Sequence, residues 1–314
     1  MLAAMSCWSS TIRTSNVFMV GGFGDGSILA IAATSFNEPA RTARGRISAT
    51  ICSVWASASI HTCMSPIHSP WPSRWPKPST DTTAVRRSGG IDPHLLAWGI
   101  GVLAYLLAMW LLAGRGLDFA IADRLYAWEG GRWALRQHWL TVSVIHAGGK
   151  ALSIAAWLGL AAFTAVIWRH PGWHAWRRPL LALLGSVLIS VSLVAAIKHA
   201  WSMDCPWSLQ RYGGTQAFVG LFQARPDGMP AAGCFPSAHA SSGFAWVALY
   251  FFLLQVRTRW CWAGLAIGLV AGSVFAVSQQ LRGAHFLSHD ITTLLLCWTV
   301  ALLLHRTLAA RVDR

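Results

Sequence analysis

Two histidines stand four residues apart in LRGAHFLSHD, residues 281 to 290, and a third follows Pro236, Ser237 and Ala238 in CFPSAHASSGFAW, residues 234 to 246. On a helix His285 and His289 would share a face, and that spacing suits a divalent metal. Zinc would also need a third ligand and a carboxylate or water, and the sequence has no HExxH pattern. Taken singly, Lys198 in AAIKHAWSMDCPW and Arg282 read as basic heads reaching up to lipid headgroups, and His239 as an interfacial histidine. Taken together they are ionisable groups beside apolar runs, where such groups are costly and usually functional.

The elements that must position these residues are membrane helices. Of the 314 residues 54% are hydrophobic and 11% charged, with 19 Trp, which is not a soluble composition. The apolar residues fall into six runs: His94 to Leu112, Ala151 to Trp168, Pro179 to Ile197, Ala240 to Val256, Cys261 to Ser278 and Ile291 to Leu308. Each approaches the ~20 residues that a helix needs to cross ~30 Å of hydrocarbon. The expectation is an all-α bundle of six transmembrane helices over residues 91 to 314, since only helices or closed barrels satisfy their backbone in lipid.

Residues 1 to 90 are rich in Ser, Thr, Pro and Ala and read as a disordered leader. They fit a signal peptide poorly and are compatible with a start codon placed too far upstream. Their VGGFGDGS has neither a strand before it nor a helix after it, so it reads as flexible chain rather than a phosphate loop. Deletion to Val85 is expected to leave insertion intact.

The net charge of +14 is scattered over loops, which argues against nucleic acid as a partner. Arg86, Arg87, Arg169, Arg177, Arg178, Arg257, Arg259, Arg306, Arg311 and Arg314 mark one face as cytoplasmic, with both termini there. Lys198, Ser237, His239 and the 281 to 290 stretch then share the opposite face. Of the seven cysteines, Cys7, Cys52 and Cys63 lie in the leader and Cys261 and Cys297 in or beside spans. Cys205 and Cys234 share an outer loop, where a disulfide is expected to contribute roughly 3 kcal/mol; two unpaired thiols are the alternative.

Lys198 with Pro206 eight residues on, then Pro236, Ser237, Ala238 and His239, then Ser278, His285 and His289 at their spacings, resemble the three motifs of the type 2 phosphatidic acid phosphatase superfamily, whose fold is shared with vanadium-dependent haloperoxidases. The resemblance covers about residues 94 to 308. Four positions depart from it: Cys205 and Gln279 stand where the family has Arg, Ala238 where it has Gly, and His289 where it has Asp. Arg211 and Arg282 are the expected stand-ins for the missing arginines, and Asp290 for the missing aspartate.

The resemblance implies that Lys198, Ser237, Arg282, Arg211 and the backbone at Ala238 hold a phosphoryl group, and that His285 attacks phosphorus to form a phosphohistidine. His239 would protonate the leaving oxygen, with no metal and no cofactor. His289 and Asp290 would orient His285, Asp290 raising the basicity of the histidine pair; the alternative makes Asp290 the N-cap of the sixth helix. The expected protein is an inner-membrane phosphatase of bacterial type, acting on a lipid or lipid-linked phosphate at the outer, periplasmic face. A phosphotransferase or a silent lipid-phosphate binder are the alternatives; a haloperoxidase is disfavoured because those enzymes are soluble.

Overall fold

A computed structural model of the protein describes residues 92–309. The leader with its glycine cluster and Cys7, Cys52 and Cys63 lies outside the described residues, as do Arg86, Arg87, Arg311 and Arg314. The described chain is all-α, its β structure limited to isolated bridges joining Met203 to Gly233 and Leu209 to Gln216. Its main helices are α1 (Pro93–Met109), α2 (Leu117–Trp128), α3 (Gly149–Trp168), α4 (His174–Ala200), α5 (Ala238–Phe244), α6 (Ala248–Val256), α7 (Cys261–Leu281) and α8 (Leu287–Leu304).

Short π and 3-10 segments extend these into six helices long and apolar enough to cross a membrane: Pro93–Gly114, Leu140–Trp168, Pro171–Ala200, Ala238–Val256, Thr258–Leu281 and Leu287–Leu308. The protein is a multi-pass membrane protein.

Several boundaries differ from those of the hydropathy runs, and two of them bear on the polar cluster. The second span begins at Leu140 rather than Ala151, because a π-helix over Leu140–Gly148 runs straight into α3. His146, Gly148, Gly149 and Lys150 interrupt the apolar run there without interrupting the helix. The sixth span begins at Leu287 rather than Ile291, which puts His289 and Asp290 inside its first turn.

The spans divide into an inner and an outer set. Only 6% and 11% of the apolar windows of the first two spans are buried, against 44%, 56% and 50% for the third, fourth and sixth. The large apolar side chains of α1 and α3 are thus left for lipid. The core lies between α4, α5, α6, α7 and α8, with Leu183, Val187, Phe244, Val247, Phe251 and Cys297 among its buried residues.

Close approach of α7 to the fourth span rests on Gly264, Gly268 and Gly272, spaced four apart. A Cβ on Gly268 would collide with the backbone of Trp246 and Val247, and one on Gly272 with the Phe244 ring. Lipid tails are as apolar as the helices themselves, so contact between spans depends on such small residues and on a few hydrogen bonds. Trp98 Nε1 donates to Thr299 Oγ1 at 3.0 Å and Trp157 Nε1 to the Leu184 carbonyl at 3.1 Å, fastening α1 to α8 and α3 to α4.

At the end of the bundle that carries Lys198 and His285 sits α2, too short for a span. Gly116, at φ 78°, turns the chain into it. Phe119, Ala122 and Tyr126 lie on one face of the helix and pack with Leu209, Tyr212, Trp133 and Phe286. From the same face the buried Asp118 accepts the amide of Ser288 at 3.1 Å, capping α8 from a distant part of the chain.

Candidate active site

Each side chain of the cluster reaches this end of the bundle by a different route. Lys198 comes from the last turn of α4, where it lies half-buried against Gly233; a Cβ on Gly233 would sit 3.4 Å from its Cε. His239 stands in the first turn of α5, behind the N-cap Ser237. His285 sits in the turn between α7 and α8. That turn is made by Gly283 at φ 65°: its amide bonds to the Gln280 carbonyl at 2.9 Å and that of Ala284 to the Gln279 carbonyl at 2.9 Å, the Schellman pattern of a helix end. Gly283 is also where the Trp133 ring packs, in space that a Cβ would fill.

The hydrogen bonds of His285 fix its chemistry. Its Nδ1 lies 2.6 Å from the carbonyl oxygen of Cys234 and 3.3 Å from Nδ1 of His289. A carbonyl can only accept, so Nδ1 carries the proton and Nε2 keeps its lone pair. Burial, then His289 and Lys198, hold the His285 imidazole well below the usual 6.5, so the ring is neutral at working pH. Cys234 itself is bonded to Cys205 in a disulfide whose Cα atoms are 5.3 Å apart.

The second imidazole pair was not foreseen. His239 stacks on His146 with ring centroids 3.4 Å apart and planes within 12°, and its Nε2 lies 3.3 Å from the His146 carbonyl oxygen. His146 Nδ1 is 3.1 Å from Gln279 Nε2 and 3.1 Å from Arg282 Nη1. Both of those atoms can only donate, so Nδ1 of His146 accepts and its proton lies on Nε2. The π-helical start of the second span delivers His146 here, an irregularity common at functional sites. Lys150, one turn on and exposed, is within electrostatic reach of both rings. His146 and Lys150 had only the broken apolar run after Leu140 to signal them.

Three sequence expectations are corrected. Arg211 is not in the cluster: its guanidinium is exposed and bonds both oxygens of Asp123 on α2 at 2.8 and 2.6 Å, holding that carboxylate below its usual value. Asp290 is hydrogen-bonded to neither His285 nor His289, since the carboxylate of a residue already in the helix is turned to Gln280 Nε2 at 2.8 Å. Nor does Asp290 cap α8, a role that Asp118 fills. Arg282 lies in the cluster and is nearly buried, with Nε donating to the Arg136 carbonyl at 3.1 Å and Nη1 reaching Gln279 Oε1 at 3.4 Å besides His146.

Ser237 and Ala238 open the fourth span beside this group. The Ser237 amide lies 3.4 Å from the His289 carbonyl, and Thr293 Oγ1 donates to the Ser237 carbonyl at 3.1 Å, pinning α5 to α8. Ser237 Oγ, His289 Nε2 and Asp290 Oδ1 are all buried without a hydrogen-bond partner of good geometry. Ser237 and Asp290 are near enough to interact.

The cluster therefore offers Lys198, Arg282 and Lys150 as cations, four imidazoles and the Ser237 hydroxyl, with the Asp290 carboxyl bonded to Gln280 and close to that hydroxyl. Such an arrangement can hold an anion beside a neutral imidazole with a free lone pair. Among the described residues no group of three or more His, Cys, Asp or Glu side chains is placed to hold a metal ion.

Residues 179–313, from the third span to beyond the end of the sixth, match the family model of the PAP2 superfamily. No curated protein and no solved structure matches the chain.

Proposed function

Since residues 179–313 belong to the PAP2 superfamily, that of the type 2 phosphatidic acid phosphatases, we propose that this membrane protein is a phosphatase that hydrolyses a lipid or lipid-linked mono- or diphosphate through a phosphohistidine, at the outer leaflet of a bacterial inner membrane with both termini cytoplasmic. The observation that carries the reading is the convergence of Lys198 and His239, from two separate stretches of chain, within electrostatic reach of His285 from a third. Pairing of Asp92 with Arg306 supports the termini sharing a face.

In this reading Lys198 and Arg282 hold the phosphoryl oxygens, and the phosphate gives Ser237 Oγ the partner it lacks. His285 attacks phosphorus from Nε2 as the bond to the lipid oxygen breaks. His239, whose Nε2 is held by the His146 carbonyl, protonates that oxygen from Nδ1. The dianionic substrate itself favours the imidazolium that this step requires. Water then attacks the phosphohistidine and releases phosphate. A silent lipid-phosphate binder is the second reading, favoured by the ties that already hold Arg282 to His146 and the Arg136 carbonyl.

Phosphate release from a panel of lipid phosphates and diphosphates by the purified full chain separates the two. Vanadate-sensitive release that disappears in His285→Ala is expected. Binding of the same lipids without release by the unaltered chain would leave the binder.

A further inference from the structure

Nothing in the helical frame fixes the orientation of the His285 ring, because the residue sits in the turn between α7 and α8. Its near partner is a backbone carbonyl, that of Cys234, at 2.6 Å. The His289 Nδ1, 3.3 Å away, is at the long end for a hydrogen bond. The carbonyl belongs in turn to an outer loop many of whose residues between Gln210 and Pro230 are exposed. Near Cys234 the loop is held by Cys234 N to the Met203 carbonyl at 3.0 Å, Ser202 Oγ with Ala232, and Arg225 with Asp204, and farther along by Trp201 Nε1 to the Leu221 carbonyl and by Arg211 and Tyr212 to Asp123. One covalent tie acts on the residue that bears the acceptor, the bond from Cys234 to Cys205, five residues beyond the end of α4.

We infer that the Cys205–Cys234 disulfide is a positioning device for the reaction: it holds the Cys234 carbonyl that keeps the proton of His285 on Nδ1 and the lone pair on Nε2, so that turnover depends on the bridge. The inference rests on the phosphatase reading for its effect on rate. It makes one sense of two substitutions, since a cysteine at 205 and a histidine at 289 together replace a side-chain carboxylate with a tethered backbone oxygen. A carboxylate is the stronger acceptor, because charge-assisted hydrogen bonds are roughly twice as strong as neutral ones. A neutral carbonyl compensates only if it is held in place.

The geometry supplies a rescue. Oδ1 of an aspartate and Nδ1 of a histidine are the same number of bonds from Cβ, so Asp at position 289 would put a carboxylate oxygen about where His289 Nδ1 now stands, next to His285. Asn there would offer the same reach without the charge.

The test uses the full chain in lipid vesicles containing phosphatidic acid, before and after dithiothreitol. The reagent supplies two electrons and two protons, the sulfur–sulfur bond becomes two thiols, and the reagent closes to its cyclic disulfide. Reduction is expected to lower kcat at least about tenfold, as for other mis-set histidine tautomers, with KM nearly unchanged, and Cys205→Ser should behave like the reduced protein. In His289→Asp turnover, whatever its level, should be the same before and after reduction, whereas His289→Asn should stay sensitive. Nitrogen-15 spectra of selectively labelled histidine should show the Nδ1-protonated form of His285 lost on reduction. An unchanged tautomer and rate would overturn the inference, as would equal sensitivity in His289→Asp, which would make the bridge a support of the fold only. The spectra need no turnover, so they decide the inference even if the unaltered chain releases no phosphate and the phosphatase reading falls.

Discussion

A histidine that must attack and then leave phosphorus needs a fixed tautomer, and a neighbour that must give up a proton needs a fixed ring. Here stacking on His146 fixes His239, and His146 is itself clamped at Nδ1 by Gln279 and Arg282. His146→Ala should therefore reduce kcat by about tenfold or more, the low end of what acid–base positioning contributes. His146→Gln should recover part of it, because Gln can still accept from Arg282; equal losses in both variants would reduce His146 to packing. Arg211→Ala should change kcat less than about twofold, since an exposed ion pair is worth only ~0.2–1 kcal/mol. That Lys198, Ser237, His239 and His285 gather at one end of the bundle was legible, because side-chain type and spacing carry them. The acceptor of His285 was not, because it is a main-chain oxygen and any residue at 234 would present one. Arg211 misled for the opposite reason: a cation in the right loop says nothing of Asp123, 88 residues earlier, which claims it.

Among the elements, apolar runs gave all six spans but not the two irregular pieces that finish the site, the π-helical start of the second span and α2. Polar residues break the run at 146 to 150, and α2 is 12 residues long with a single packed face. Its Asp118 is the more informative, because capping α8 obliges a carboxylate to be buried. Burial raises Asp118 above its usual 3.8, against the amides of Ser288 and Leu287, which favour the charged form. A raised folded value means that the carboxyl's contribution to stability is fully present below the unfolded value and is lost as pH rises through the folded one. Asp118→Asn keeps an acceptor for the Ser288 amide and sheds the buried charge. It should be at least as stable as the unaltered protein at pH 7, with the margin closing as pH falls and Asp118 takes up its proton. Asp118→Ala should lose ~0.5–2 kcal/mol, the range for a lost cap. Melting of all three in one detergent across pH checks this, and an Asn variant less stable at pH 7 would show the carboxylate charge to be a net gain for α8.

If the substrate is a lipid phosphate, as proposed, its tail needs a way to the site past α2 and the disulfide loop, from the side of the bundle. Between the second span and α7 lies an apolar groove of about 580 Å³, lined by Leu140, Ile145, Val270, Val274, Val277 and Leu281. Such a volume is within the ~300–1,000 Å³ of ordinary ligand sites. Its walls adjoin the chemistry in sequence: Ile145 precedes His146, and Ser278, also in the wall, precedes Gln279. Val270, Val274 and Val277 are exposed to the hydrocarbon side, and the second span is among the least buried. An acyl chain lying in this groove would leave its headgroup at the level of Arg282 and Lys198. Filling the groove then has a signature that damage to the site lacks. Val274→Trp should raise KM several-fold for a long-chain lipid phosphate, since each CH₂ left unburied costs ~0.8 kcal/mol, while kcat stays close to that of the unaltered chain. A short-chain, water-soluble phosphate should be hydrolysed at the unaltered rate by the same variant. An equal loss on both substrates would mean that the tryptophan disturbs the bundle, and no change on either would place the acyl chain elsewhere.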